Sequence, residues 1–187
     1  MQISNKVLLT NGKYEDKLRA HITGSQHYAY SVFIFDTEGR LLLQQRALSK
    51  YHSGGLWSNT CCSHPLAVDD LSIVMNQAVS RVKEEMGIEC RLFYDSRFEY
   101  KAICGNLIEN EIDYIFYGYT LGVPEINTEE VHSYRWANIA DIYRNIEEAP
   151  DSYTEWFKSI VLEKGISQMA DSIKSNIKKD NIARITN

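Results

Sequence analysis

No apolar run in this 187-residue chain approaches the length of a membrane span, and the opening MQISNKVLLT has neither the apolar core nor the small-residue cleavage site of a signal peptide. The sequence therefore reads as cytoplasmic, with no membrane partner. No C-x-x-C occurs among Cys61, Cys62, Cys90 and Cys104, which argues against a disulfide framework or a zinc ribbon and leaves four free thiols. Positive charge is also in deficit. A net charge of −5 with scattered lysines and arginines argues against nucleic acid as a partner, because a phosphate backbone needs a dense basic footprint. Any phosphate bound should be small. Repeats and low-complexity linkers are missing too, so residues 1–187 read as a single domain, with a polar tail at 178–187 that is expected to fray. Nothing in the sequence speaks to oligomeric state.

What is present is a 44% apolar content, enough for one packed core. Residues 7–9 look like a short strand, and residues 28–35 and 41–45, joined by Asp36-Thr37-Glu38-Gly39, read as a β-hairpin. Leu71, Val74, Met75, Ala78, Val79, Val82 and Met86 recur at helical intervals, and Gly87 supplies the stop. Further strands are expected at 91–94, 98–102, 111–120 and 132–136, with helices at 139–146 and from Tyr153 onward. This order suggests an α+β sandwich.

His21, His27 and His64 stand near expected strand ends or turns; taken singly, each is an ordinary surface or hydrogen-bonded imidazole. Glu109 and Glu111 lie two apart at the start of an apolar strand, so both side chains point to one face. Exposed, they would be solvated; buried, two like charges need a cation, and carboxylate with imidazole suits Mn²⁺, Zn²⁺ or Mg²⁺. At about 100° per residue Glu85 falls within the apolar arc of its helix and Glu84 outside it. Arg81 lies one turn earlier, so an i,i+4 ion pair with Glu85 and a metal or diphosphate contact are both open. Lys17, Arg46 and Lys50 sit beside turns, where most charges are simply solvated but where a small diphosphate would also fit. Cys61 and Cys62 cannot share a strand face, and either alone reads as a small buried apolar residue.

Together, Ala47-Leu48-Ser49-Lys50, Asn59-Thr60-Cys61-Cys62-Ser63-His64-Pro65 and Glu109-Asn110-Glu111-Ile112 resemble the signatures of the type I isopentenyl-diphosphate isomerases in order and approximate spacing. The resemblance spans about Lys17 to Trp156. It implies a Nudix-like α/β/α sandwich with a mixed β-sheet, and an enzyme that moves a carbon–carbon double bond in a small diphosphate by adding and removing protons. By position it implies His21, His27, His64, Glu109 and Glu111 around one divalent ion (Mn²⁺, Zn²⁺ or Mg²⁺), and Glu85 toward a second, Mg²⁺. Cys62 and Glu111 would be the proton-handling pair, with Tyr100 as a relay and Trp156 facing the carbocation. Lys17, Arg46, Lys50 and Arg81 would contact the diphosphate.

Three departures accompany the resemblance, one being that the segment from Tyr100 to Glu109 is one residue shorter than in bacterial members. His21 and His27 are six apart, one fewer than in bacterial members, so the intervening loop must adjust if both ligate. Residues 80–88 follow the end of a Nudix box, R-E-U-x-E-E-x-G-U with U apolar, except that Ser80 and Arg81 replace its arginine and glutamate. A Nudix hydrolase of a nucleoside diphosphate derivative, which would use Glu84 and Glu85 with Mg²⁺ and would not need Cys62, is the alternative that this weakens. A domain that merely holds structural zinc is a third reading.

Overall fold

A computed structural model describes residues 5–175. Its strands are β1 (Lys6–Leu8), β2 (Tyr14–Asp16), β3 (His27–Phe35), β4 (Leu41–Arg46), β5 (Trp57–Ser58), β6 (Cys61–Ser63), β7 (Arg91–Cys104), β8 (Leu107–Tyr119) and β9 (Val131–Ala137). The helices are α1 (Lys17–Thr23), α2 (Leu71–Met86), α3 (Ile139–Glu148) and α4 (Glu155–Ser159), which continues as a π-turn over Ile160–Lys164. One more, α5, begins at 167 and reaches the end of the described residues. The expected tail at 178–187 lies outside them.

β1 and β2 form a small antiparallel ribbon, and the other seven strands a mixed sheet in the order β5-β4-β3-β8-β7. Its one parallel pair, β3 with β8, runs in register from His27↔Glu111 to Phe35↔Tyr119. The expected β3–β4 hairpin is correct only at its turn: the two strands pair at Phe35↔Leu41 and then diverge. β6 takes up the free edge of β3, and β5 and β9 pair with β4. Buried side chains bridge the resulting wedge. The Thr60 hydroxyl accepts from Ile34 N at 2.9 Å and donates to Leu42 O at 2.7 Å, while Asn59 Nδ2 donates to Val32 O and Cys61 O. Backbone groups that a continuous ladder would have paired are thereby satisfied, and the short β6 is held in place.

The two strands expected at 91–94 and 98–102 are one, β7, bent by a bulge between Tyr94 and Ser96. α2 has the expected bounds, capped by the Asp70 carboxylate on Ser72 N at 2.8 Å. α1 was not foreseen. Asp16 caps its start and Gly24, in the left-handed region at φ 65, ends it; a Cβ there would approach Ile108 side-chain atoms to 3.1 Å.

Two apolar clusters pack on opposite sheet faces, making an α/β/α sandwich. One joins Phe33, Phe35, Leu41 and Leu43 to α3, α4 and α5; the other joins Val32, Ile34, Leu42 and Cys61 to Val74, Ala78, Val82 and Met86 of α2. No helix among the described residues is long and apolar enough to cross a membrane. Phe157 is fully buried against Phe33 and Tyr153, so Phe157→Ala is expected to cost about 3–5 kcal/mol, checked by urea unfolding of the metal-free protein.

Candidate active site

Alternation along β3 sends His27, Ala29 and Ser31 to the face that carries Phe33 and Phe35 in the first cluster. Lys17, His21, Ala29, Ser31, Arg46, His52, Cys62, Ser63, His64, Tyr100, Glu109, Glu111 and Trp156 line one cavity on this side. The small side chains of Ala29 and Ser31 leave room on its floor. Cys62 comes from β6 on one flank of β3 and Glu111 from β8 on the other. Cys61 joins the α2 cluster instead, so the adjacent thiols face opposite ways, as strand geometry requires.

His21, expected near a strand end, stands in the last turn of α1, and its Nδ1 meets Lys17 O at 2.6 Å. His27 Nδ1 meets Ser25 O at 2.8 Å. Only an N–H can satisfy a carbonyl, so both rings carry hydrogen on Nδ1 and, when neutral, offer Nε2 as a lone pair. His21 Nε2 lies 3.1 Å from Glu109 Oε2, His27 Nε2 3.2 Å and His64 Nε2 3.0 Å from Glu111 Oε1. His27 Nε2 is fully buried and, despite that distance, has no hydrogen-bond partner. One ligand atom from each of His21, His27, His64 and Glu111 can be chosen so that all lie within 4.8 Å of one another. Imidazoles fixed from behind by backbone carbonyls, with their lone pairs converging on a carboxylate, are a fit donor set for a divalent metal ion. Gly24, in the left-handed region, ends α1 and turns the chain between His21 and His27.

Glu109 and Glu111 are 2% and 6% exposed, so their shared strand face is an inward one. Burial, reinforced by the charge of Glu111, pushes the Glu109 carboxyl above the usual range. Burial also opposes ionisation of Glu111, but the adjacent His27 and His64 rings, whose protonated forms favour the carboxylate, outweigh it and hold that carboxyl well below the usual range. The Tyr100 hydroxyl donates to Glu111 Oε2 at 2.5 Å. Burial, with Arg46 pulling the other way, pushes the Cys62 thiol up to about 12. Trp156 Nε1 donates to Ser58 Oγ at 2.9 Å, which fixes the indole, and the Arg46 guanidinium lies over that ring at 5.0 Å.

Glu85, Lys50 and Arg81 do not line this cavity. Glu85 is buried as its helical position implied, and Arg81 makes the i,i+4 pair with it: Arg81 Nε stands 2.6 Å from Glu85 Oε1, though not aligned for a hydrogen bond. Gln44 Nε2 also donates to Glu85 at 3.0 Å. Glu130 ties the group together, accepting from Arg81 at 2.6 Å and from Lys50. Arg81 and Lys17 line a separate groove, beside Ser63 and His64. Three further features went unforeseen in the sequence. Glu130 pairs with two cations; His52 lines the cavity; and Asp113 continues the i,i+2 series of Glu109 and Glu111. Asp113 is fully buried, accepts from Ser31 Oγ at 2.7 Å, and has an unpartnered Oδ1.

The NUDIX domain family matches residues 25–157. The chain is 45% identical over 148 residues to isopentenyl-diphosphate Delta-isomerase 1 of Aromatoleum aromaticum, covering 79% of this chain and 82% of that one. To isopentenyl-diphosphate Delta-isomerase 2 of Photorhabdus laumondii it is 46% identical, with 78% and 81% covered. This chain belongs to the isopentenyl-diphosphate Delta-isomerase family. A solved structure, the MutT protein of Methanosarcina mazei Go1, shares the fold with this isomerase-family chain (TM-score 0.56, 16% identity, 72% and 88% covered). Within that fold, Arg81 puts a cation where the hydrolase box has a carboxylate. It sits 2.8 Å from Glu84 and 2.6 Å from Glu85, the two glutamates a hydrolase would need for Mg²⁺. The hydrolase alternative is set aside by the isomerase relatives, and the chain's own box gives it no support.

Proposed function

We propose that this chain interconverts isopentenyl diphosphate and dimethylallyl diphosphate, adding a proton to one carbon of the double-bond system and removing one from another. Protonation of an unactivated alkene generates a tertiary carbocation, so the site needs an acid on one side, a base on the other, and stabilisation between. The observation that carries the reading is that Cys62 and Glu111 line one cavity from strands on opposite flanks of β3. One gives the proton and the other takes it. At rest the thiol holds its proton and Glu111 is ionised, as their opposite shifts imply. Tyr100, hydrogen-bonded to Glu111, relays protons at that carboxyl.

His21, His27, His64, Glu109 and Glu111 would hold Mn²⁺, Zn²⁺ or Mg²⁺, and such an ion supplies positive charge that anchors Glu111 and sharpens its acidity. Trp156 presents its π face to the carbocation, worth about 0.5–2 kcal/mol once water is excluded. Arg46 covers that face in the structure, and a bound diphosphate would draw the guanidinium away. Lys17 and Arg46 at the cavity, with Lys50 and Arg81 beyond it, form the cationic path for the diphosphate. Glu85 is the carboxylate available for a Mg²⁺ carried with it, once Arg81 turns to the phosphate.

Incubating Mn²⁺-loaded protein with isopentenyl diphosphate in D₂O tests the assignment. Deuterium is expected in both recovered substrate and product, read by mass spectrometry; no label in either would remove it.

A further inference from the structure

We propose that His52 is a positioning residue for the metal centre: its Nε2 faces Glu109 Oε1 at 3.5 Å, outside hydrogen-bond alignment in this structure, and would donate to that oxygen once the ion holds Oε2. The inference rests on the metal-site reading above. Glu109 presents its two oxygens in different directions, Oε2 at 3.1 Å from His21 Nε2 and Oε1 at 3.5 Å from His52 Nε2. His52 clusters with His21 and Glu109, and both His52 and Glu109 lie outside the compact set of His21, His27, His64 and Glu111. Glu109 reaches that set through the contact of its Oε2 with His21, and His52 meets the other oxygen, where the partners of ligating carboxylates are found.

The Ser53 hydroxyl lies 3.2 Å from His52 Nδ1 and can donate to it, a pairing compatible with the ring hydrogen on Nε2. The turn that delivers the ring is tightly specified. Ser53 is the non-glycine residue with positive φ among those described, at 52°, a conformation costing about 1–2 kcal/mol. Arg46 Nη2 donates to His52 O at 3.5 Å and Gln45 Nε2 to Gly55 O at 2.9 Å, while Gly55 N pairs with Arg46 O at 3.0 Å. A Cβ on Gly54 would come within 2.9 Å of Leu48 O. The imidazole also packs edge-on against Trp156, with ring centroids 5.8 Å apart. A rigid turn thus aims one polar atom at the outer oxygen of a buried carboxylate. Without that donor, Oε1 is free to swing toward the ion, and the ligand geometry slackens.

Mn²⁺ titration of the metal-free protein, with free Mn²⁺ counted by electron paramagnetic resonance, tests this. His52→Leu is expected to weaken Mn²⁺ binding about 10- to 100-fold and to shift the visible absorption of the Co²⁺-loaded protein. His52→Gln, whose amide can donate to Oε1, should restore both. Should the leucine variant not fold, His52→Phe keeps the ring packing and serves in its place. Tight binding by the variant without a donor overturns the proposal, as does a glutamine variant no better than leucine. Failure of the unaltered protein to bind Mn²⁺ would remove the metal centre itself, and this inference with it.

Discussion

Glu111→Gln is expected to lower turnover by about 10³-fold or more and to weaken Mn²⁺ binding in the same protein. The substitution keeps the shape of the side chain but places an amide where His27, His64 and Tyr100 now converge within 3.2, 3.0 and 2.5 Å. Whichever way the amide turns, it loses either an oxygen facing the imidazole lone pairs or the atom that exchanges a proton with Tyr100. Metal-free stability should fall, because the ionised carboxylate is held by its neighbours strongly enough to outweigh its burial and the amide cannot be held in the same way. Steady-state kinetics with saturating Mn²⁺ and a thermal melt without metal check both halves. Turnover within tenfold of the unaltered protein would take Glu111 out of the chemistry.

Cys62→Ala should be as selective as Glu111→Gln is broad. Turnover is expected to fall about 10²- to 10⁴-fold while Mn²⁺ affinity and KM stay close to their original values. The thiol borders the cavity, yet none of the candidate ligand clusters contains it. A parallel loss of metal affinity would mean that the thiol acts through the centre rather than on substrate. Undiminished isomerisation would leave the cavity with one proton-handling group too few.

Long amphipathic periodicity was readable: α2 ran from Leu71 to Met86 as its apolar spacing implied. Elements held by tertiary contacts were not. β5 and β6 are two and three residues long and exist because Asn59 and Thr60 bridge a wedge between β3 and β4, and no local pattern encodes that wedge. α1 is a seven-residue helix whose best signal was its pair of caps, Asp16 and Gly24, rather than periodicity. The helix expected from Tyr153 begins two residues later as α4 at Glu155, after a 3₁₀ turn over Pro150–Ser152, and runs through a π-turn to a break at Gly165. Within the site, strand alternation correctly separated Cys61 from Cys62 and placed Glu109 with Glu111. It equally marked Asp113 as next on the same face, a signal left unused. That His27 approaches the two glutamates follows from the parallel pairing of β3 with β8, while His64 is brought in beyond β6, paired to β3, and His21 on α1, packed against β8; all of these connect stretches far apart in sequence.

That pairing also bears on how the molecule comes together. His27 and Glu111 face each other on the first rung of the parallel ladder, although 84 positions (111 − 27) separate them along the chain. The intervening polypeptide includes α2 and all of β7, so closing this loop is among the slowest contacts the chain must make. The candidate metal pocket therefore cannot be preassembled in a nascent fragment. An ion held there would clasp the two ends of this long closure, and would favour the finished topology over any partly zipped intermediate.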